Sequence, residues 1–293
     1  MDGVIVVDKP EGLTSHDVVN RVRKLANTRK VGHLGTLDPV ATGVLPLVIG
    51  RATRLAQFFS ASEKEYDASI RFGWATDTYD RVGTAISPAV EPAFSRADLE
   101  AALASFRGTY LQTPPPFSAK KVDGKPAYRL ARKKIPVELE PVEVHIYALD
   151  LLEFAGATAR IRVRCAAGTY LRSIAHEAGQ LLGCGAFLDA LRRTGSGDFK
   201  EEQARTLEQL EQLAEAGKLS EALIPASSLL PHLPNATVDP LTAGQIRQGR
   251  DFRLSPFTDR ASTKYVKAIS QEGELIAIGE ARLPHLYHPI LVL

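Results

Sequence analysis

Between Lys30 and Gly50 the chain reads KVGHLGTLDPVATGVLPLVIG, and this stretch restricts the fold more than any other. Three glycines, Gly32, Gly35 and Gly43, surround the pair Asp38-Pro39, and the segment then enters the apolar run Val44 to Ile49. Glycine permits positive φ and close backbone approach, while Pro39 fixes its own φ and biases Asp38 towards an extended conformation. A stiff looped shelf follows, pointing one carboxylate outward before the chain dives into a core. Taken alone, an Asp-Pro pair in a glycine-rich turn is ordinary turn chemistry.

The core must then be large enough to receive that run. At 293 residues, 44% of them apolar and 24% charged, the chain has material for one large domain plus a small one. A net charge of +2 is too small to imply nucleic-acid binding, so local clusters must carry any such argument. The two cysteines, Cys165 and Cys184, read as thiols in a reducing compartment, and no cluster has the spacing of zinc ligands. The N-terminal apolar run is too short for a signal peptide, and no run approaches the about 18 residues of a membrane span. These features point to a cytoplasmic protein with no membrane partner.

Local patterns give the elements. Val4 to Val7 is a compact β-branched run closed by a turn, hence a buried strand. Thr14 and Asp17 have capping-box spacing, and Val18, Val19, Val22 and Leu25 then share one helical face. Arg51 to Phe59 reads as a short helix. Residues 65 to 72 alternate, with Tyr66, Ala68, Ile70 and Phe72 on the buried face of a strand. Ser95 and Asp98 cap another helix, which stops before Gly108. Val142, Val144 and Ile146 alternate in one strand. The next sets Ala159, Ile161, Val163 and Cys165 against Arg160, Arg162 and Arg164, a cationic face that is either solvated or aimed at phosphates. A helix with Leu171, Ile174, Ala175, Ala178 and Leu182 on one face ends at Gly183, and a leucine-spaced helix follows from Glu208 to Gly217. A proline-punctuated stretch, Pro225 to Pro234, marks a boundary. Beyond it come a short helix, LTAGQIRQG, and strands near Tyr265–Ser270 and Leu275–Ala281.

Residues 113 to 134 form a second distinctive block. Prolines lead to a hairpin turn at Asp123-Gly124 and then to a short basic helix from Ala127 to Lys134. Seven cations lie between Lys120 and Lys134 against one acid, Asp123. Phe117 and Tyr128 are interleaved with them, which suits an arm that grips phosphates and stacks on bases. So short a helix is marginal without packing, and its cations repel one another until phosphates neutralise them. The arm is therefore expected to be mobile when free and to close on RNA.

The run from Gly32 to Leu45 resembles the active-site motif G-H-x-G-x-L-D-P-x-A-T-G-x-L of the TruB-type tRNA pseudouridine synthases. DKPEGLTSHDVV resembles the family's first motif, whose Lys-Pro pair, here Lys9-Pro10, supports the active-site shelf. GTYLR, from Gly168 to Arg172, is similar to the family's G-T-Y-I-R, with Leu171 in place of isoleucine. GCGAFLDALRRTGSG also matches, with Leu191 at the position lining the uracil pocket. The basic block corresponds to an RNA-clasping insertion. Phe117 stands there where the family has a tyrosine, so the apolar contact carries over and the hydroxyl does not. The similarity spans residues 3 to about 200. The tail is similar to a PUA-like RNA-binding module in the order and size of its elements.

The resemblance implies isomerisation of uridine 55 to pseudouridine in the T-loop of tRNA, with Asp38, Tyr66 and Arg172 catalytic. His33, Tyr170, Leu191, Lys9, Lys120, Arg129 and Arg132 are then expected among the substrate-binding groups. A carboxylate at the ribose can act as nucleophile or proton acceptor, and the residues do not choose between these roles. Arg172 is the natural partner that keeps a buried Asp38 ionised. Tyr66 would stack on uracil, its hydroxyl placed to help remove the C5 proton. His33 would fill the gap left by the flipped base. An isomerisation needs no cofactor, and no P-loop or dinucleotide fingerprint occurs. The expected fold is mixed α/β, with a largely antiparallel sheet and flanking helices over residues 1–228 and a small β-rich PUA-like domain over 229–293. The expected state is a monomer needing no protein partner. Alternatives are a guide-RNA-dependent synthase, which typically carries basic tails not found here, and a non-catalytic RNA-binding protein. A metal hydrolase on His16, Asp17 and His33 is a third, and its spacing matches no familiar ligand pattern.

Overall fold

In the computed structural model every residue is described except 119, 123, 128, 129, 131, 132, 134–138 and 254–262. The basic helix expected at Ala127 to Lys134 therefore lies largely outside the described residues, and Arg129 and Arg132 with it.

Strand β1 (Gly3–Lys9) is buried along nearly its whole length. It leads to α1 (Ser15–Leu25), where Thr14 and Asp17 form the expected capping box and Val18, Val19 and Val22 are buried. Next come β2 (Val31–His33), β3 (Ala41–Ile49) and the expected short helix, of 3₁₀ type, at Gly50–Phe59. Its first residue follows Ile49, which offers no side-chain cap. β4 (Lys64–Phe72) buries alternate residues from Lys64 to Phe72. The Ser95–Asp98 capping box opens α2 (Arg96–Ala104), followed by β5 (Gly108–Gln112). β6 (Lys121–Val122) and β7 (Lys125–Pro126) form the hairpin. β8 (Val142–Ala155) runs fourteen residues, much further than its three alternating positions suggest, and pairs with β9 (Thr158–Cys165). Then follow α3 (Leu171–Leu181), β10 (Ala186–Ser196), β11 (Phe199–Lys200), α4 (Leu207–Glu215) and β12 (Ile224–Pro225).

Ten of these strands form one sheet, ordered β12-β1-β3-β10-β4-β9-β8-β5, with β2 on β3 and β11 on β10. Every pairing in it is antiparallel except that of β3 with β10. The expected mixed, largely antiparallel sheet with flanking helices is what the chain forms. Strand β3 gives one edge to β1 from Gly43 to Ile49 and divides the other. Val31 to His33 of β2 pair at its C-terminal end, and Leu191 to Arg193 of β10 pair in parallel at Ala41 to Gly43. The loop from Leu34 to Val40 arises where that edge changes partners.

One face of the sheet packs on the helices, joining Ile5, Leu45, Ile70 and Ile161 to Val22, Leu103, Ile174 and Leu210. On the other face, Val4, Val44 and Val48 meet Leu55 and Phe59 of the 3₁₀ helix. They share that core with Ile278 and Leu291 of a second sheet. It is built from β13 (Asn235–Val238), β14 (Phe252–Arg253), β15 (Tyr265–Ser270), β16 (Leu275–Leu283) and β17 (Leu286–Val292), with α5 (Pro240–Arg247) against it. Lys267 crosses between the sheets, donating to the Ser227 and Leu229 carbonyls at 2.9 Å each. The arginines of β9 are settled by their neighbours. Arg162 grips Asp67 at 2.7 and 2.8 Å, Arg164 meets Glu63 at 2.8 Å, and Arg160 meets Glu153 at 3.3 Å. They form an exposed ladder of ion pairs, each worth at most about 1 kcal/mol. No helix among the described residues is long and apolar enough to cross a membrane.

Gly43 sits where β3 and β10 run parallel, with φ +99°, and a Cβ there would overlap the Arg193 backbone carbonyl. Gly43→Ala should lower unfolding stability by roughly 2–4 kcal/mol. Urea unfolding followed by circular dichroism checks this, and a loss below about 1 kcal/mol would show that the junction yields.

Candidate active site

A loop that leaves a sheet edge must find other partners for its carbonyls, because a buried backbone acceptor left unpaired is costly. Here side chains supply them. Arg193 donates from Nη2 to the Gly35 carbonyl at 3.1 Å, from Nη1 to Thr36 at 3.4 Å and from Nε to Val44 at 2.7 Å. Ser15 Oγ, at the start of α1, donates to the Leu37 carbonyl at 3.1 Å and accepts from the Leu37 amide at 2.8 Å. The Asp38 carbonyl takes the Ala41 amide, and that of Pro39 takes the Gly12 amide at 2.8 Å. Lys9 Nζ adds a bond to Pro39 at 3.3 Å, with Leu13 at 2.7 Å and Pro10 at 2.8 Å.

Lys9 is 0% exposed and lies beneath the shelf, where it supports the loop as its motif implies, and it does not line the cavity described below. Burial lowers its ammonium to about 8, with Asp38 the largest opposing influence.

The shelf presents the Asp38 side chain to Arg172, two residues into α3. Arg172 Nε lies 3.0 Å from Asp38 Oδ2 and Nη2 lies 3.3 Å from Oδ1, a two-point grip. Arg172 is 5% exposed, and further donors are used on its other side. Nη1 reaches the Thr78 carbonyl at 3.1 Å, Nη2 the Phe117 carbonyl at 3.1 Å, and the buried Asp80 carboxylate stands 3.8 Å away. Asp38 is half-exposed and open to a ligand, whereas its partner is locked in place.

A cavity of about 460 Å³ opens in front of this pair. Tyr66, His33, Tyr170 and Leu191 line it together with Asp38 and Arg172, and Phe117 and Lys64 complete the wall. Six of the ten residues expected at the site therefore meet in one place. Burial raises the Tyr66 phenol above the usual tyrosine range, so it is protonated at neutral pH. Burial, aided by Arg193 and His16, lowers the His33 imidazole, which is neutral at pH 7 with Nδ1 unpartnered. Asp17 is occupied by the capping box, where its carboxylate accepts from Thr14 N at 2.9 Å and Thr14 Oγ1 at 2.6 Å.

Comparison with known proteins gives this constellation its context. Residues 23–171 match the N-terminal domain of the TruB family pseudouridylate synthases, and residues 172–231 match the tRNA pseudouridylate synthase B C-terminal domain. The chain belongs to the TruB family. It is 61% identical over 293 residues to tRNA pseudouridine synthase B of Solibacter usitatus strain Ellin6076, covering 100% of both chains. It is 44% identical over 255 residues to tRNA pseudouridine synthase B of Azoarcus sp. strain BH72, covering 86% of this chain and 84% of the relative. Among solved structures it is similar to a chain of a Cbf5-Nop10-Gar1 complex, with TM-score 0.70 and 29% identity. That match covers 97% of this chain and 79% of the other.

Within this TruB chain, Lys120 is half-buried and does not line the cavity, and Arg129 and Arg132 fall outside the described residues. Sequence reading missed Arg193, Ser15's grip on Leu37, Asp80 and Lys64. Two of these carried a signal: Arg193 is two residues from Leu191 on one strand, and Lys64 is two residues from Tyr66 on another, so each pair shares a face.

Arg172→Lys keeps the charge and loses the fork, so it cannot hold both Asp38 oxygens and the two carbonyls. The single-turnover rate at saturating RNA should fall by about a hundredfold or more. An unchanged rate with altered affinity would contradict the orienting role.

Proposed function

We propose that this TruB enzyme converts uridine to pseudouridine at position 55 in the T-loop of tRNA, acting alone as a cytoplasmic monomer. The observation that carries the reading is the Asp38 carboxylate, gripped at two points by a buried arginine at the mouth of a cavity walled by Tyr66 and Leu191. The names of the relatives matched over most of the chain support tRNA as the substrate.

In this reading the target base flips out of the folded loop and enters the cavity, with Tyr66 stacked on the ring and Leu191 against it. His33, neutral and at the cavity wall, holds the place the base has left, and Tyr170 lines the ribose side. Asp38 acts at C1′ as nucleophile or as base on the ribose. In either case the N1–C1′ bond breaks with its electron pair on uracil, and C5 then bonds to C1′. The proton lost from C5 is balanced by one gained at N1, so no co-reactant is needed. Residues 1–228 form the catalytic domain, and 229–293 a PUA-like module that widens the RNA-binding surface. The basic segment 113–134, with Lys120, Arg129 and Arg132, closes over the T-loop.

Incubating the protein alone with an unmodified tRNA transcript should yield pseudouridine at position 55. No product without a guide RNA or protein partner would favour the guide-dependent alternative. Asp38→Asn should abolish turnover and leave the fold intact, because Arg172 keeps Asp80 and two carbonyls. Turnover within about tenfold of wild type, or roughly 1.4 kcal/mol of barrier, would mean that another residue does the chemistry. Replacing Arg129, Arg132, Lys133 and Lys134 by alanine should weaken tRNA binding. If each meets one phosphate, the slope of log K against log salt should flatten by about 3, while the rate at saturation changes little. An unchanged slope would remove the arm from the phosphate contacts.

A further inference from the structure

Lys64 opens β4 two residues before Tyr66, on the same face, and is 7% exposed at the wall of the cavity. The other buried cations of the site are all satisfied. Lys9 donates to three carbonyls, Arg193 to three, and Arg172 to two carbonyls and Asp38. Among the described residues, neither a carboxylate nor a hydrogen-bond acceptor meets Lys64 Nζ. Its charged neighbour is a second cation. A Cβ at Gly35 would stand 3.5 Å from Lys64 Cε and 3.6 Å from Arg193 Nη1, so the two side chains converge over that glycine. Burial, and then Arg193, lower the Lys64 ammonium to about 8, which leaves it charged at neutral pH. A buried cation with a cationic neighbour weakens the fold, and an arrangement of this kind persists where a ligand brings the missing negative charge.

We propose that Lys64 is a further catalytic residue: its ammonium hydrogen-bonds a carbonyl oxygen of the flipped uracil and holds the negative charge that the ring carries while detached from the ribose. The inference rests on the pseudouridine-forming reading of the site. When the N1–C1′ bond breaks with its electron pair on the base, that charge spreads to O2 and O4. A fixed, largely buried cation at the cavity wall lowers the energy of this state and needs little reorganisation to do so. The ring must then turn to present C5. Turning it over about the N3–C6 axis exchanges N1 with C5 and O2 with O4. A carbonyl oxygen therefore occupies the same place before and after, and one lysine serves both halves of the reaction. The enclosure of Lys64 favours the base over a phosphate, which would meet cations at the cavity rim.

The test compares wild type with Lys64→Met, which keeps the length and removes the charge. On tRNA carrying the target uridine, the single-turnover rate should fall about a hundredfold or more, as when one donor to a developing anion is removed. Affinity for tRNA should change less than about threefold, and Tm should rise because the repulsion with Arg193 is gone. A fallen Tm with a lost rate would make Lys64 structural and overturn the proposal. Weakened binding with a normal rate at saturation would make it a phosphate contact and also overturn it. A second measurement replaces the target with 2-thiouridine or 4-thiouridine, whose sulfur is a weaker acceptor. At least one should slow wild type and leave Lys64→Met no slower than it already is, whereas equal slowing of both proteins would overturn the contact. If wild type itself forms no pseudouridine, the reading of the function fails instead, and the two failures are separable.

Discussion

The Asp38 carboxylate stands on a loop whose backbone is held largely by side chains rather than by a sheet. Arg193 takes the carbonyls of Gly35 and Thr36, Ser15 takes that of Leu37, and Lys9 adds a bond to that of Pro39, which also accepts the Gly12 amide. These three come from β10, α1 and β1, so three separate elements are pinned to one loop. Positioning of Asp38 is therefore a collective property. A change in any of the three would be felt at the carboxylate without touching the cavity, since sub-ångström placement of a reacting group carries a large share of rate.

Cations do this work because one charged group can satisfy several acceptors at once. Arg193 and Arg172 each offer a planar fork of donors, and both are used to near capacity in a dry setting. The arrangement accumulates positive charge around a cavity that has one carboxylate at its mouth. An RNA loop, rich in acceptors and phosphate, is the complement of such a field. The exposed face of β9 shows the opposite design, each arginine neutralised by a neighbouring acid.

Much of the fold could be read from local pattern. Alternation in β4 and β9, the capping boxes at Thr14 and Ser95, and the helical face after Tyr170 all appear where periodicity puts them. Asp38, Arg172, Tyr66, His33, Tyr170 and Leu191 also meet as the motifs imply. What escaped depends on pairing across long stretches of chain. The length of β8 follows from its partners β5 and β9, and nothing in its own alternation reveals that. The role of Arg193 follows from the parallel register with Gly43, and the neutral pairing of Arg162 from Asp67 lying opposite it. The support that Lys9 gives the shelf is implied by its motif, but its full burial and its three carbonyl partners appear only once the loop above it is known.

The parallel junction of β3 and β10 has a consequence for how the protein is made. The Arg172–Asp38 contact spans 134 residues, and the Arg193–Val44 contact spans 149. Neither half can be completed until the second motif leaves the ribosome, about 10–40 s after the start at 5–20 residues per second. Until then β3 lacks β10 along part of its edge, and the shelf lacks both Arg193, which holds its carbonyls, and Arg172, which holds the Asp38 carboxylate. The nascent chain thus carries an open strand edge through about half of its synthesis, the kind of surface that invites wrong pairing. The site is completed late, when the strand that joins β3 to the rest of the sheet also delivers Arg193 beneath the loop.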